Sequence, residues 1–485
     1  MNSEIEIAGI KVPKSDWEAT PESIKAVVIV LSERLEQIEE QLKKNSRNSS
    51  KPPSSDGFGK VERKQKQKSQ KNQKQKSSRK VRKLYPIEAC QEVYSHLPEK
   101  CRHCGEELSG KDAEPHRHQI IEIPKVRAYV IEHQQHQLEC ACCGRKTRAE
   151  LPKEISQRSY GERLTAAVGW LSGEHRQSHR MLKSLMKTLF GIEISRGSIN
   201  RLRQEVSKAI AEPVKQAQEY IQKQKVVNSD ETSFSQGNQD GLNPQKIKGW
   251  LWVLGTYLVK VFSVELSRGQ KTAKKLLGEE FSGIAISDRY SGYNWLDNQQ
   301  RQVCWAHLKR DLIAIAERSG VSAQIGQALL SREQRLFRWW HRVRDGTMSR
   351  QQLVSAVTSL RAGFKAELEE AAALPIGFRE KSPLAKTVRT IRRLLKIEDA
   401  LWTFVFVDGV EPTNNLAEQA LRCAVIWRRT SYGSQSQAGS DFVSRILTVV
   451  ESLKAQQRNP LDYLTEACYA KRLGLPAPSL LPSEP

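Results

Sequence analysis

Two carboxylates stand where strand-like runs stop. In GIAISDRYSGYNWL, residues 283–296, an apolar run halts at Asp288, and in QKVVNSDETSF the pair Val226 and Val227 leads to Asp230. A strand ending on an acid presents it where α/β folds place their chemistry. A turn or helix-capping aspartate gives the same local pattern, so it is the recurrence that carries weight. VDGVEPTNNLAEQALRCAVIWRR offers a third acid among Asp408, Glu411 and Glu418. On a helix Leu416, Ala420 and Leu421 mark an apolar face, while Asn414, Glu418 and Arg422 recur every four residues on another. Glu418 is the leading third acid. A surface pair with Arg422 is its alternative, and Asp408, closing the strand-like WTFVFVD, is the runner-up. Adjacent carboxylates repel unless a cation offsets them, and oxygen ligands suit Mg2+ or Mn2+.

The elements around these acids give the reason they should meet. From Lys225 to Ser319 the pattern predicts a strand to Asp230, two longer strands through Trp250 to Leu266, and a helix from Gln270 to Leu277. A strand to Asp288, a short helix, and the strand RQVCWAHLKR leading into a further helix follow. Three antiparallel strands followed by βαβ units is the order of a ribonuclease-H-like fold, in which the first and fourth strands lie side by side. Asp230 and Asp288 then end close together.

A second chemistry is carried by sulfur. CRHCG and CACCG set Cys101 with Cys104 and Cys140 with Cys143, each pair at the Cys-x-x-Cys spacing that lets one tight turn offer two thiolates to a tetrahedral ion, with a glycine relieving the turn. Together they predict a zinc ribbon with one structural Zn2+; a redox dithiol is the rival, and Cys142, His103, His116 and His118 are substitute ligands. Cys304 and His307 in QVCWAHLKRD resemble half a metal site but have no partner pair by spacing. The leading reading is structural or DNA-adjacent, with Cys304 buried at a strand end and His307 and Lys309 or Arg310 near a cleaved strand.

The remaining signals concern partners. SHRMLKSLMKTLFGIEISRGSINRLRQEVSKAI reads as two helices joined at Phe190-Gly191, with Ser195 capping the second, and a helix-turn-helix would turn Arg196, Asn200, Arg201 and Arg203 toward a major groove. Basic residues on a solvated face give the same pattern. Upstream, one run carries Lys60, Arg63, Lys64, Lys66, Lys68, Lys71, Lys74, Lys76, Arg79, Lys80, Arg82 and Lys83 with a single acid, which predicts a disordered segment that contacts phosphate backbone, or a solubilising tether. Before it, Ile24, Val27, Val28, Leu31, Leu35, Ile38 and Leu42 predict one helix from Pro21 to Asn45 that self-associates or docks on another domain. The 485 residues carry a formal charge of +23, which favours a polyanionic partner. No run reaches the length of a spanning helix and the start MNSEIEIAG lacks signal-peptide order, so the expectation is a soluble intracellular protein without a membrane partner. Nine cysteines, four of them in two Cys-x-x-Cys pairs, argue against a disulfide framework.

Taken in order, SRNSSKPPSSDG, CRHCG, CACCG, SDET, SDRYSGY, QVCWAHLKRD and NNLAEQALR resemble the IS66-type transposases of bacterial insertion sequences, within the wider DDE group. The resemblance implies that Asp230, Asp288 and Glu418 form a catalytic triad holding two Mg2+ or Mn2+ ions, and that the knuckles bind zinc. It further implies that the basic region engages transposon ends. Arg422, one turn after the third acid, is a further candidate DNA contact. The implied activity is 3′-end cleavage at terminal inverted repeats followed by strand transfer into target DNA. The protein would act as a homodimer at the bacterial nucleoid in the cytoplasm, with accessory proteins encoded by the same element as further partners. A catalytically inactive DNA-binding descendant and a related structure-specific nuclease are the alternatives. Residues after SDET depart from the family's usual apolar and basic continuation. The expected division is a helix over 1–45, a basic linker over 46–84, a zinc-binding module over 85–157 and a helix-turn-helix-like region over 158–222. The catalytic core would occupy 223–318 and 402–455, interrupted by a helical insertion over 319–401 that holds Trp339-Trp340, with a tail over 456–485.

Overall fold

Short amphipathic pieces open the chain. In the computed structural model, which describes residues 4–7, 10–42, 44–49, 83–152, 155 and 158–482, β1 (Glu4–Ile7) pairs with β2 (Ile10–Pro13) and leads into α1 (Lys14–Ala19) and α2 (Glu22–Leu42). The basic positions from Lys60 to Arg82 lie outside the described residues, and Lys83 is exposed. Two units divide the chain, residues 58–128 and residues 1–57 with 129–485. The smaller holds a 3-10 turn at Ile87–Ala89 and the Cys101 knuckle, flanked by an antiparallel bridge between Lys100 and Glu107. In the larger, the hairpin of β3 (Gln137–Glu139) and β4 (Lys146–Arg148) flanks the Cys140 knuckle.

Four helices follow: α3 (Glu162–Gly173), α4 (His179–Phe190), α5 (Arg196–Ala209) and α6 (Ala211–Gln222). Capping sets their ends. Ser178 Oγ accepts from Met181 N–H, Gly191 takes φ +69° to close α4, and Ser195 Oγ accepts from Ser198 N–H to start α5. Val168, Leu182, Met186, Ile194, Ile199 and Leu202 bury one small core among α3, α4 and α5.

The sheet is built from β5 (Val226–Ser233), β6 (Trp250–Gly255), β7 (Lys260–Glu265), β8 (Ile284–Ser287) and β9 (Arg301–Val303), with α7 (Gln270–Leu277) between β7 and β8. Its order is β7-β6-β5-β8-β9; the first three strands are antiparallel, and β8 and β9 run parallel to β5. The first strand therefore neighbours the fourth. β5 runs through Asp230 to Ser233 rather than ending at the acid, because β6 continues to pair with it, Asp230 opposite Val253, after β8 has stopped.

Beyond β9 the chain is helical: α8 (Trp305–Ala316), α9 (Gly320–Arg344), α10 (Arg350–Ala373), α11 (Pro383–Leu395), α12 (Thr403–Phe406), α13 (Asn415–Ser431), α14 (Gln437–Ala455) and α15 (Pro460–Leu473). Helices α8 to α12 share a core with the end of the sheet, where Trp305, Trp340, Phe364, Trp402 and Phe404 meet edge to face. Trp340 belongs to that core, with Trp339 packed beside it. WTFVFVD is not the strand its composition predicts. It holds α12, directly after a 3-10 turn at Asp399–Leu401, and a short apolar run of this kind does not distinguish a buried helix from a strand. Its polar groups bind the β9 edge through side chains: Thr403 Oγ1 donates to Arg301 O at 2.5 Å and Phe404 N–H to Gln302 Oε1 at 2.8 Å.

At the opposite edge, α14 lies along β7. Lys260, Phe262 and Val264 donate their backbone N–H groups to Ser452 Oγ, Thr448 Oγ1 and Ser444 Oγ at 2.9, 2.9 and 3.0 Å. Alternate strand positions thus meet every fourth helix position, and the exposed edge of the sheet is closed.

Candidate active site

Register brings the strand-end residues to one level. β5 and β8 pair Asn228 with Ile286, so Asp230 and Asp288 stand level two residues further on, on strands about 4.8 Å apart. β8 and β9 pair Ser287 with Val303, so Cys304 is level with Asp288, its N–H donating to Ser287 O at 2.8 Å. Asp288 and Cys304 therefore follow directly on the last residues of β8 and β9, level with Asp230 inside β5, on the carboxyl side of the parallel strands, where open α/β sheets bind ligands.

The third acid arrives on α13. Asn414, fully buried before that helix, donates its Nδ2 to Ser229 O at 2.8 Å and accepts from Asn228 Nδ2 at 2.9 Å, while its backbone N–H donates to Cys304 Sγ at 3.2 Å. Arg428, at the other end of α13, binds Thr232 Oγ1 and Ser233 O of β5. Glu418, in the first turn between these two anchors, faces the strand ends. Burial pushes Asp230 well above the usual carboxylate range, and the negative charges of Glu231, Asp288 and Glu418 push the same way. Asp230 Oδ1 accepts from Glu231 N–H at 2.9 Å, and Asp288 Oδ1 from Tyr290 N–H at 2.8 Å.

Beneath the acids is a network with no distinct signal in the sequence. Glu231, on the opposite side of β5, accepts from Arg268 Nε at 2.7 Å and from the Tyr293 hydroxyl at 2.9 Å, and that hydroxyl also bonds Ser229 Oγ. Arg268 stacks on Tyr290 and Trp250, with Nη2 4.0 Å from Asp288 Oδ2. Burial and Asp288 raise Glu231, and Arg268 and Tyr293 oppose the rise. Arg268, Tyr293 and Asn414 were legible only as residues, since their roles depend on contacts across the sheet.

Cys304 and His307 do find a partner. With Glu418 they bring Sγ, an imidazole nitrogen and a carboxylate oxygen within 4.8 Å of one another, a set capable of coordinating a metal. His307 Nδ1 lies 3.4 Å from Glu418 Oε1 without hydrogen-bond geometry, and Cys304 Sγ lies 3.9 Å from the same oxygen. Burial pushes the Cys304 thiol up to about 11, opposed by the backbone N–H groups of Asn414, His307 and Ala306. Burial also draws His307 below its ordinary range; Arg310 acts in the same sense, against Glu418, Asp288 and Asp311.

The other candidate residues are scattered. Asp408 is exposed and paired with Arg350 at 2.9 Å, and Glu411 lies near Tyr257. Arg422 is exposed on α13, Lys309 is held by Glu333 at 3.0 Å, and Arg310 Nε donates to Ala306 O at 3.4 Å. Arg196, Asn200 and Arg201 are exposed on α5. Arg203 does not join them: it lies four residues after the buried Ile199, and its guanidinium sits 4.3 Å from the Phe442 ring centre and bonds His179 Nε2. Each cysteine knuckle has the same turn. Gly105 N–H donates to Cys101 O at 2.9 Å with φ +82°, and Gly144 N–H to Cys140 O at 2.8 Å with φ +64°. Backbone N–H groups of the turn lower the Cys101 and Cys140 thiols.

Comparison with known proteins gives this geometry a family. Residues 158–441 match the model of the transposase IS66 family, residues 98–144 the zinc-finger binding domain of transposase IS66, and residues 3–84 a family of unknown function. A Sinorhizobium fredii protein described as uncharacterized protein y4qI is 30% identical over 251 residues, 47% of this chain. The chain spans 45% of the length of that relative. No described helix is long and apolar enough to cross a membrane. The first of these matches runs from α3 into α14 and encloses every strand of the five-stranded sheet together with Asp230, Asp288, Cys304, His307 and Glu418, and on that extent the chain belongs to the transposase IS66 family.

Proposed function

We propose that the chain is a DNA transposase that binds the terminal inverted repeats of an insertion sequence, cleaves at their 3′ ends and joins those ends to target DNA. The observation that carries this reading is the convergence of Asp230, Asp288 and Glu418 from β5, β8 and α13 in a chain of this family. The strand order, three antiparallel strands followed by two parallel ones, supports a ribonuclease-H-like core.

The donor set fits Mg2+ or Mn2+. All three groups are carboxylates, and the rise of Asp230 marks a cluster short of positive charge. Divalent ions held there would supply the charge that activates the attacking oxygen and stabilises the leaving one. The chain's own groups orient the ligands. One oxygen each of Asp230 and Asp288 is fixed by a backbone N–H, and Asn414 ties the start of α13 to β5 so that Glu418 faces them. Arg268 neutralises Glu231, so the second acid of SDET adds less to the repulsion. Exposed Arg196, Asn200, Arg201 and Arg422, with the basic run from Lys60 to Lys83, support duplex binding. The knuckles each offer a thiolate pair to zinc, and α2 is the surface through which two copies pair the two ends.

The test is cleavage of a labelled terminal-repeat duplex in Mg2+ by Asp230→Asn, Asp288→Asn, Glu418→Gln and Asp408→Asn, with duplex binding measured in parallel. The first three lose cleavage by at least about a thousandfold and keep binding, because ligands acting as a unit fail together; Asp408→Asn stays active. Activity in all four overturns the reading. Cleavage without joining to target assigns a nuclease instead, and binding without cleavage by the unsubstituted chain assigns an inactive descendant.

A further inference from the structure

We infer that Cys304, His307 and Glu418 form a second metal site, selective for a thiophilic divalent ion such as Zn2+, Co2+ or Cd2+, whose occupation withdraws Glu418 from the Asp230 and Asp288 carboxylates. The geometry is that of a three-ligand site with an open fourth position. Sγ, imidazole nitrogen and carboxylate oxygen lie within 4.8 Å of one another, and Glu418 Oε1 is 3.4 Å from His307 Nδ1 and 3.9 Å from Cys304 Sγ. Ligands around one tetrahedral ion with bonds of about 2.0–2.3 Å stand roughly 3.3–3.8 Å apart, so the nitrogen-to-oxygen separation already fits and the sulfur has to draw slightly closer.

Two further observations point to an ion. His307 Nδ1 is buried and has no hydrogen-bond partner, although it faces a carboxylate. Such a nitrogen is rarely left unsatisfied, and a metal is one of the few groups that satisfies it and the carboxylate together. Cys304 Sγ meanwhile accepts the Asn414 N–H at 3.2 Å and sits before the first turn of α8, and Glu418 lies in the first turn of α13. Both anionic ligands therefore stand at helix N-termini, where the backbone favours negative charge.

The ligand chemistry separates this site from the all-carboxylate one. Mg2+ takes oxygen ligands and binds thiolates poorly, whereas sulfur and imidazole suit Zn2+ and its congeners. Binding converts the Cys304 thiol to thiolate with release of one proton to solvent, and no other bond changes. Glu418 is the shared group. The inhibitory consequence rests on the proposed transposase reading; the ion site itself does not.

The binding test is titration of the full chain, stripped of metal, with Co2+. The wild type takes up one more Co2+ per chain than Cys304→Ser or His307→Ala and at least one more than Glu418→Gln, which also removes a ligand of the carboxylate site, and Cys304→Ser loses part of the thiolate-to-cobalt absorption. Cys101→Ser, which alters a knuckle, keeps the difference between proteins with and without Cys304. Circular dichroism identifies a variant that fails to fold; the one-third exposed Glu418 makes Glu418→Gln the variant that retains structure. Equal uptake and absorption in the wild type, Cys304→Ser and Glu418→Gln overturn the site. A second arm adds Zn2+ to Mg2+-supported cleavage of a labelled terminal repeat and reads the ratio with and without Zn2+ for each protein. Wild-type cleavage falls at least about tenfold while Cys304→Ser changes less than twofold. Equal inhibition of both overturns the competition. Absence of cleavage in any protein, with Co2+ uptake as expected, rejects the transposase reading and leaves the metal site standing.

Discussion

Asp230 lies where burial and three neighbouring carboxylates, Glu231, Asp288 and Glu418, all disfavour its charge. A side chain held against such repulsion weakens the fold that holds it, and residues that do so cluster at functional sites. Asp230→Asn removes the repulsion while retaining the size and the acceptor oxygen that receives Glu231 N–H. The metal-free Asp230→Asn protein is therefore expected to resist denaturant better than the wild type, with a higher urea midpoint. The wild type gains stability on adding Mg2+ and the variant does not. Urea unfolding with and without Mg2+ reads both, and a less stable metal-free variant contradicts the account. The sign agrees with linkage: a carboxyl raised above its unfolded value contributes stability at low pH and loses that contribution as pH rises through the folded value. Much of this site was visible as residues. Asp288 follows a four-residue strand and Glu418 occupies the first turn of a helix, both positions that apolar patterning marks. The company of Cys304 was not visible, because Glu418 lies 114 residues away in sequence and it is Asn414, at the start of α13 with its N–H on Cys304 Sγ, that brings the two together.

Elements differ in how far local pattern determines them. α7 spans Gln270–Leu277, bounds set by a leading glycine and a trailing Gly278 at φ +96°, and both signals are printed in the chain. WTFVFVD carries no such punctuation. Its aromatic and valine side chains fit a strand or a buried helix equally, and the aromatic core between α9 and α10 selects the helix. The closure of the β7 edge was likewise hidden, since Ser444, Thr448 and Ser452 read as ordinary small polar residues on α14. Their spacing gives them a specific task. Each takes one backbone N–H of β7 that would otherwise be buried without an acceptor. Thr448→Val keeps shape and removes the acceptor from Phe262 N–H, so it is expected to destabilise by about 1–3 kcal/mol, whereas Thr448→Ser retains the bond and costs less. Denaturant midpoints of the two variants check this; equal midpoints would show that the edge is held by apolar packing alone.

At the scale of the whole molecule, the net charge of +23 favours a polyanionic partner without indicating how copies of the chain are arranged on it. Helix α2 carries the surface that bears on that arrangement. Ile24, Val28, Leu31, Leu35, Ile38 and Leu42 follow one another at spacings of four, three, four, three and four, the seam of a coiled coil, on a helix about 32 Å long. Leu31, Leu35 and Leu42 are 53%, 57% and 80% exposed, so this seam is not buried within the chain. Apolar surface repeated in this way along a helix is covered by a second helix of the same kind in aqueous solution, and a closed two-fold pair is the simplest arrangement in which identical chains hold two identical DNA ends. Leu31→Lys combined with Leu35→Lys places two like charges against their counterparts in such a pair. Sedimentation of the full-length protein is expected to show a dimer for the wild type and a monomer for the double variant. The double variant is also expected to bind a single terminal repeat with near wild-type affinity, while joining of paired ends falls by at least about tenfold. A dimer that survives the double substitution moves the contact away from α2, and a wild type that sediments as a monomer and still joins paired ends removes the need for one.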